Sequence, residues 1–344
     1  MIAGDVRRSL VLSLAVAAVL SVSANDDSAV QDSLAFLRTY VRASDADLRR
    51  LERGGVLTKT LDAPDGREVN SFGVIRVTCT PDVFAARLRD IERFKASEYV
   101  LQIGRFHASP SPEDIAALTL DPGDREAMRG CKPGSCSLRL PADVMNRFRT
   151  TIPWGTPGET EAAAAAMRRF LLDEARTYLA GGSAALADYA DRNGTTPRAA
   201  AFKLLLRPAA FHAEYQPELF RYLEEFPRAQ GEGSDSFLYW SREKFGLKPV
   251  ISISHSVLQR RDRVVVFGSK QVYASHYFES SLGMALFVPV EGAQYGYVTY
   301  LNRSRVDTLR GLLAPLARVV AARRARDGLE RMLIDVKRKL ETPG

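Results

Sequence analysis

The sequence predicts an α+β protein: an antiparallel β-sheet packed on one long C-terminal helix, with helical additions at the N-terminus and in mid-chain. Three observations carry that expectation. Five strand-like segments follow one another between Phe237 and Tyr300, bounded by turn residues at the spacing of an antiparallel meander. An apolar stripe at helical spacing then runs through Leu309, Leu312, Leu313, Leu316, Val319 and Val320, and past Gly328 through Leu329, Met332, Leu333, Val336 and Leu340. Between Ala142 and Phe226 the pattern is helical and includes an alanine-rich helix from Glu159 to Leu179.

The chain has 344 residues, with 46% hydrophobic and 26% charged, which supports a real core and excludes disorder. Residues 1–24 have the form of a secretory signal peptide. Arg7 and Arg8 precede a weakly polar run from Ser9 to Val22, and Val22-Ser23-Ala24 supplies a small-x-small cleavage site. The run is shorter than the roughly 20 apolar residues of a membrane span, and retention as an anchor is the competing reading. The expected address is periplasmic or secreted. Beyond the leader we expect an N-terminal helix within residues 25–66. A single α+β domain over 67–344 follows, with a helical insertion at about 142–226.

Taken in order, the mature chain opens with a helix from about Ser28 to Glu52, with Ser28 and Gln31 as a capping box and Gly54-Gly55 as its stop. Arg67 to Cys79 reads as a strand, and Thr80-Pro81 starts a helix with Phe84, Leu88 and Ile91 on one side. Tyr99 to Phe106 returns to strand, and residues 108–130 read as loop. Cys131 and Cys136 flank Lys132-Pro133-Gly134-Ser135, whose Pro and Gly suit a type II turn. A disulfide across that hairpin is expected, leading into a short strand from Ser137 to Leu140. Cys79 remains as a buried free thiol. Further on, Gly181-Gly182 breaks the helical region, and Pro217 to Glu225 forms another helix. The meander strands are expected at Phe237–Trp240, Val250–Val257, Arg263–Tyr277, Leu282–Val288 and Tyr295–Tyr300. Asn302 to Arg305 should turn the chain into the last helix, with Ser304 and Asp307 as its capping box and Pro315 as a kink.

Arg67 to Phe106 followed by Phe237 to Leu340 resembles, in the order of its elements, the START-like or helix-grip lipid-binding superfamily. The resemblance covers about half the chain and rests on order, not on a signature motif. It implies a ligand held between sheet and C-terminal helix. Ser269-Lys270-Gln271, Ser275-His276-Tyr277-Phe278 and Leu301-Asn302-Arg303-Ser304-Arg305 also resemble phrases of exported bacterial proteins without an assigned activity.

Alternate strand residues share a face. His255 therefore lies with Ile251, Ile253 and Val257, and Lys270 and His276 with Val264, Val266, Val272 and Phe278 if that strand is unbroken. Polar residues on an apolar face suit a ligand cavity, and ordinary core or edge roles are the alternative. Tyr273, Tyr277 and Tyr297 are candidates for the same lining, or for finishing a sheet face. Arg303, with Asn302 and Arg305, would sit at the strand-to-helix corner, where an anion binds or the residues cap the turn. No metal is expected, because His255 and His276 lack a nominated third ligand, and no cofactor is expected. Ser241-Arg242-Glu243-Lys244 has S-x-x-K spacing without its K-T-G or S-D-N partners.

The function these features point to is an exported protein binding a lipid or other apolar or amphipathic small molecule. A secreted hydrolase of an envelope or extracellular substrate using His255 or His276 as base, and a structural or interaction protein of the cell envelope, are the alternatives. The net charge of +7 invites nucleic acid, but export and the scatter of the arginines argue against it. An anionic membrane surface or peptidoglycan fits better than nucleic acid as an electrostatic partner outside the cytoplasm, and a solvated positive surface kept for solubility is the favoured reading.

Overall fold

A computed structural model of the chain describes residues 37–38, 42–63, 65–191, 194–206, 217–229, 234–245, 248–261, 263–290, 292–307, 309 and 314–342. The meander consists of β6 (Asp235–Phe245), β7 (Lys248–Arg261), β8 (Val264–Ala274), β9 (Phe278–Pro289) and β10 (Gly296–Val306), paired in sequence order. Two earlier strands close its two sides. β2 (Glu68–Val77) pairs with β10, and β3 (Val100–Arg105) pairs with β6. β1 (Val56–Leu61) lies outside β2, so the 25–66 segment contributes a strand as well as helix. All eight strands pair antiparallel.

β7 is buried continuously from Val250 to Gln259 instead of on alternate residues, because helices cover both faces of the sheet. One face carries α2 (Pro81–Arg89), α3 (Ile91–Lys95) and the second half of α9 (Ala314–Glu341). α2 and α3 lie in the connection from β2 to β3, and Phe84 stacks on Phe287 at 5.4 Å. α9 lies close to β2: a Cβ on Gly73 would meet Leu333 at 2.5 Å, so any larger residue there would make Leu333 shift. Leu329, Leu333 and Leu340 are buried in that contact, each worth about 2 kcal/mol in apolar area removed from water.

The opposite face is covered in two parts. At one end sit α1 (Asp45–Glu52), α7 (Arg198–Leu206) and α8 (Pro217–Glu225). At the other sit α4 (Pro122–Gly130), α5 (Ala142–Thr151) and α6 (Glu159–Gly181). A small hairpin of β4 (Tyr189–Asp191) and β5 (Gly194–Thr196) follows α6. α6 is the alanine-rich helix, ending at the glycine pair as expected. Among the described residues no helix is long and apolar enough to cross a membrane.

Several expected boundaries move. The leader and the Ser28–Gln31 capping box lie outside the described residues, as do Leu312 and Leu313. The first helix is interrupted before α1: Arg42 has φ 53°, and Ser44 caps α1 in a reciprocal box with Asp47. Within the expected 108–130 loop, Asp121 caps α4 and Pro122 opens it. Ser137 to Leu140 is irregular chain, tied by single bonds such as the Arg139 amide to the Ser275 carbonyl at 3.0 Å. The cysteine turn forms, with the Ser135 amide donating to the Lys132 carbonyl at 2.9 Å, but it joins no hairpin. Cys131 and Cys136 stand at disulfide distance, with Cα atoms 4.3 Å apart. Cys79 is free and half-buried; burial, reinforced by Glu341, pushes its thiol up to about 12.

The largest correction concerns the end of the meander. Asn302 to Arg305 continues β10 and makes no corner, so Ser304 and Asp307 cap no helix. Ser304 instead bonds Ser281 at 2.8 Å, and Asp307 pairs with Arg139 at 3.1 Å. α9 is described from Ala314 onward, and the expected kink at Pro315 falls at the margin of residues 310–313, which lie outside the described residues.

Candidate functional site

The register of β7 on β8 sets His255 directly opposite Lys270, and both side chains enter the face covered by α6, α7 and α8. Lys270 is 1% exposed. Its Nζ donates to the Leu223 carbonyl at 2.7 Å, in the last turn of α8, where the helix dipole is negative. The ammonium lies 4.2 Å from the ring centre of Phe202 and 5.3 Å from that of Tyr178. No carboxylate pairs with it among the described residues. Burial pushes its pKa down to about 7, only partly opposed by Glu224.

His255 is equally buried. Its Nδ1 shares a hydrogen bond of 2.9 Å with the Tyr178 hydroxyl, and Phe226 lies 4.5 Å from its ring. Burial, then the charge of Lys270, push it down to about 3, so the ring is neutral at physiological pH. Its Nε2 has no hydrogen-bond partner among the described residues.

Beside Lys270 is a cavity of about 20 Å³, room for one water. Lys270, Tyr273, Tyr189, Arg198, Phe202 and Ser280 are among its walls. Arg198 is already committed, donating to Glu174 at 2.6 Å and to the Val272 carbonyl at 2.7 Å. Ser280 donates to the Ala201 carbonyl at 3.0 Å. Tyr273 is not committed: its hydroxyl is buried and has no partner among the described residues, and burial holds its pKa well above the usual range. Among the described residues, the cavity therefore presents one ammonium with no carboxylate partner and one hydroxyl with no hydrogen-bond partner, with Phe202 as an apolar wall. This arrangement suits an acceptor group on an apolar body.

The other candidates separate from this cluster. β8 ends at Ala274, and Tyr277 takes φ 64°, so His276 leaves the face of Lys270. Instead Nε2 of His276 meets Asp124 at 2.8 Å and Nδ1 meets the Ser137 carbonyl at 3.2 Å, tying α4 and the cysteine loop to the sheet. Tyr277 accepts the Lys248 amide at 2.9 Å. Tyr297 borders a groove with Arg38, Asp45, Leu48, Leu51 and Glu52. Arg303 donates to Glu68 at 2.6 Å and to the Leu205 carbonyl at 2.5 Å, holding α7 to the sheet. Arg305 pairs with Asp65 and reaches Glu279 at 3.4 Å.

Asp124 is within reach of His276, but both are buried, and neither borders the cavity at Lys270 or the groove at Tyr297. Among the described residues no group of three or more His, Cys, Asp or Glu gathers as a metal site. The residues that sequence reasoning missed are Tyr178, Tyr189, Arg198 and Phe202. All four belong to the helical insertion, and no local spacing marks them, because their meeting with β8 depends on how that insertion docks.

No protein-family model and no curated protein matches the chain. Among solved structures the chain is similar to TTHA0849 from Thermus thermophilus, over 42% of this chain and 88% of that one. The identity is 12% and the TM-score 0.26, a likeness that carries no argument about function.

Proposed function

We propose that this protein is an exported, non-catalytic binding module of the helix-grip type that holds an amphipathic small molecule with an anionic or strongly accepting head. One observation carries the reading: among the described residues Lys270 is buried with no carboxylate paired to it, beside a Tyr273 hydroxyl with no partner and a small cavity. A buried charge without a counter-ion is costly, and a ligand head at Lys270 would supply one. The strand order also supports the helix-grip assignment, since the opening strand β2 lies beside the last strand β10 and α2–α3 lie between β2 and β3 in sequence. The contact between α9 and β2 is packed with leucine, so the ligand place in this reading is the other face, under α7 and α8. An amphiphile enters there only as α7 moves outward, because the cavity now admits one water. The leader pattern of residues 1–24 and the Cys131–Cys136 pair both suit an oxidising compartment outside the cytoplasm.

Native mass spectrometry of the chain purified from its own cell envelope tests this. A copurified anionic amphiphile at one per chain, absent from Lys270→Met, is expected. A ligand-free spectrum, with no shift in unfolding temperature across a series of fatty acids, would sink the reading.

A further inference from the structure

α9 has two unlike halves. Its second half is seated through Leu329, Leu333, Val336 and Leu340, one stripe at helical spacing. In the first half Leu316, Val319 and Val320 are 66%, 67% and 44% exposed. At about 100° per residue this second apolar stripe lies roughly 120° round the helix from the seated one, so seating α9 on the sheet does not cover it. Arg323 continues the exposed stripe, and Arg324 and Arg326 flank it on either side. From Ala314 to Arg326 there are four arginines, counting Arg318, and no acidic residue. The nearest acid, Asp327, lies 3.9 Å from Arg323 and 3.6 Å from Arg326, one carboxylate against the set.

We infer that the first half of α9 docks on a bilayer surface containing anionic lipid. Leucine and valine would enter the headgroup boundary, while the arginines keep their stems along the apolar layer and their charges on the lipid phosphates. A second copy of the chain fits this stripe poorly, because it would bring four more arginines against the first four. The chain as a whole, at +7, is attracted to the same surface.

The test is cosedimentation of the full chain with vesicles of phosphatidylcholine, with and without phosphatidylglycerol. Binding is expected only with phosphatidylglycerol and should weaken with added salt. The triple variant Arg323→Glu, Arg324→Glu, Arg326→Glu should weaken it at least about tenfold. Leu316→Ser with Val319→Ser and Val320→Ser should do likewise, and neither set should move the unfolding temperature much, since these side chains are exposed. Equal binding to both vesicles, or binding that both variants leave unchanged, would overturn the proposal. A dimer in solution that the same variants dissolve would overturn it too, by assigning the stripe to a second copy. Neither result bears on Lys270, so this surface and the cavity fail independently.

Discussion

The two faces of the sheet are held by different physics. The face under α2, α3 and α9 is mostly apolar: Phe84, Val77, Phe287, Val265 and Leu333 meet with at most 1% exposure each, and Lys95–Glu243 is a partly exposed ion pair at its margin. The face under α7 and α8 contains Lys270, Arg303 and Arg305 at 2% exposure or less, matched to Glu68, Glu279 and backbone carbonyls. A packed apolar face loses stability in proportion to the volume removed. A buried ionic face loses it when one partner is left alone. Only the second kind of face has a reason to keep a group such as Lys270, whose partner is not a carboxylate.

The contrast predicts where single substitutions hurt most. Arg303→Met strands Glu68 and the Leu205 carbonyl, and should lower the unfolding free energy by roughly 4 kcal/mol in urea denaturation. Adding Glu68→Leu should recover most of that loss, which no volume argument would predict. Leu333→Ala, on the apolar face, should cost about 3 kcal/mol, with no second charge-removing change able to rescue it. A result in which Arg303→Met is the milder of the two would erase the distinction between the faces.

The pH profile of stability sharpens it further. His255 has an ordinary value of 6.5 and is held at about 3, so between those values the unfolded chain binds a proton that the folded chain refuses. Stability therefore falls as pH drops from 6.5 towards 3. Lys270 has an ordinary value of 10.5 and is held at about 7, and the unfolded chain again binds more protons between the two. Stability should rise with pH from about 7 towards 10.5 on this account, and in Lys270→Met that rise should be lost.

Much of the sheet is legible in the chain, because turn residues bound each meander strand and the alternation rule places His255 and Lys270 on one face with aliphatic neighbours. The ends of elements are harder. Asn302 to Arg305 looks like a corner because its polar run breaks the apolar alternation. It is polar because Arg303 meets Glu68, 235 residues away in the chain. Extending β8 past Ala274 puts His276 on the face of Lys270, and nothing in Ser275-His276-Tyr277 marks the positive φ that ends the extension. Leu138 and Leu140 alternate as a strand does, yet an irregular buried segment gives the same pattern. The cavity itself is not readable: Phe202 and Tyr178 meet Lys270, and Arg198 lines the cavity, from helices whose docking is a tertiary event with no local spacing.

The central claim is that Lys270 is kept where it destabilises the fold in order to meet a ligand. The unfolding free energy of Lys270→Met at pH 7, measured with and without an added long-chain fatty acid, tests it most directly. The account predicts a variant more stable than the parent by about 2 kcal/mol, since the buried charge is removed, and one that no longer responds to the fatty acid. A variant less stable than the parent, with the response to fatty acid intact, would make Lys270 an ordinary cap on α8 and contradict the account.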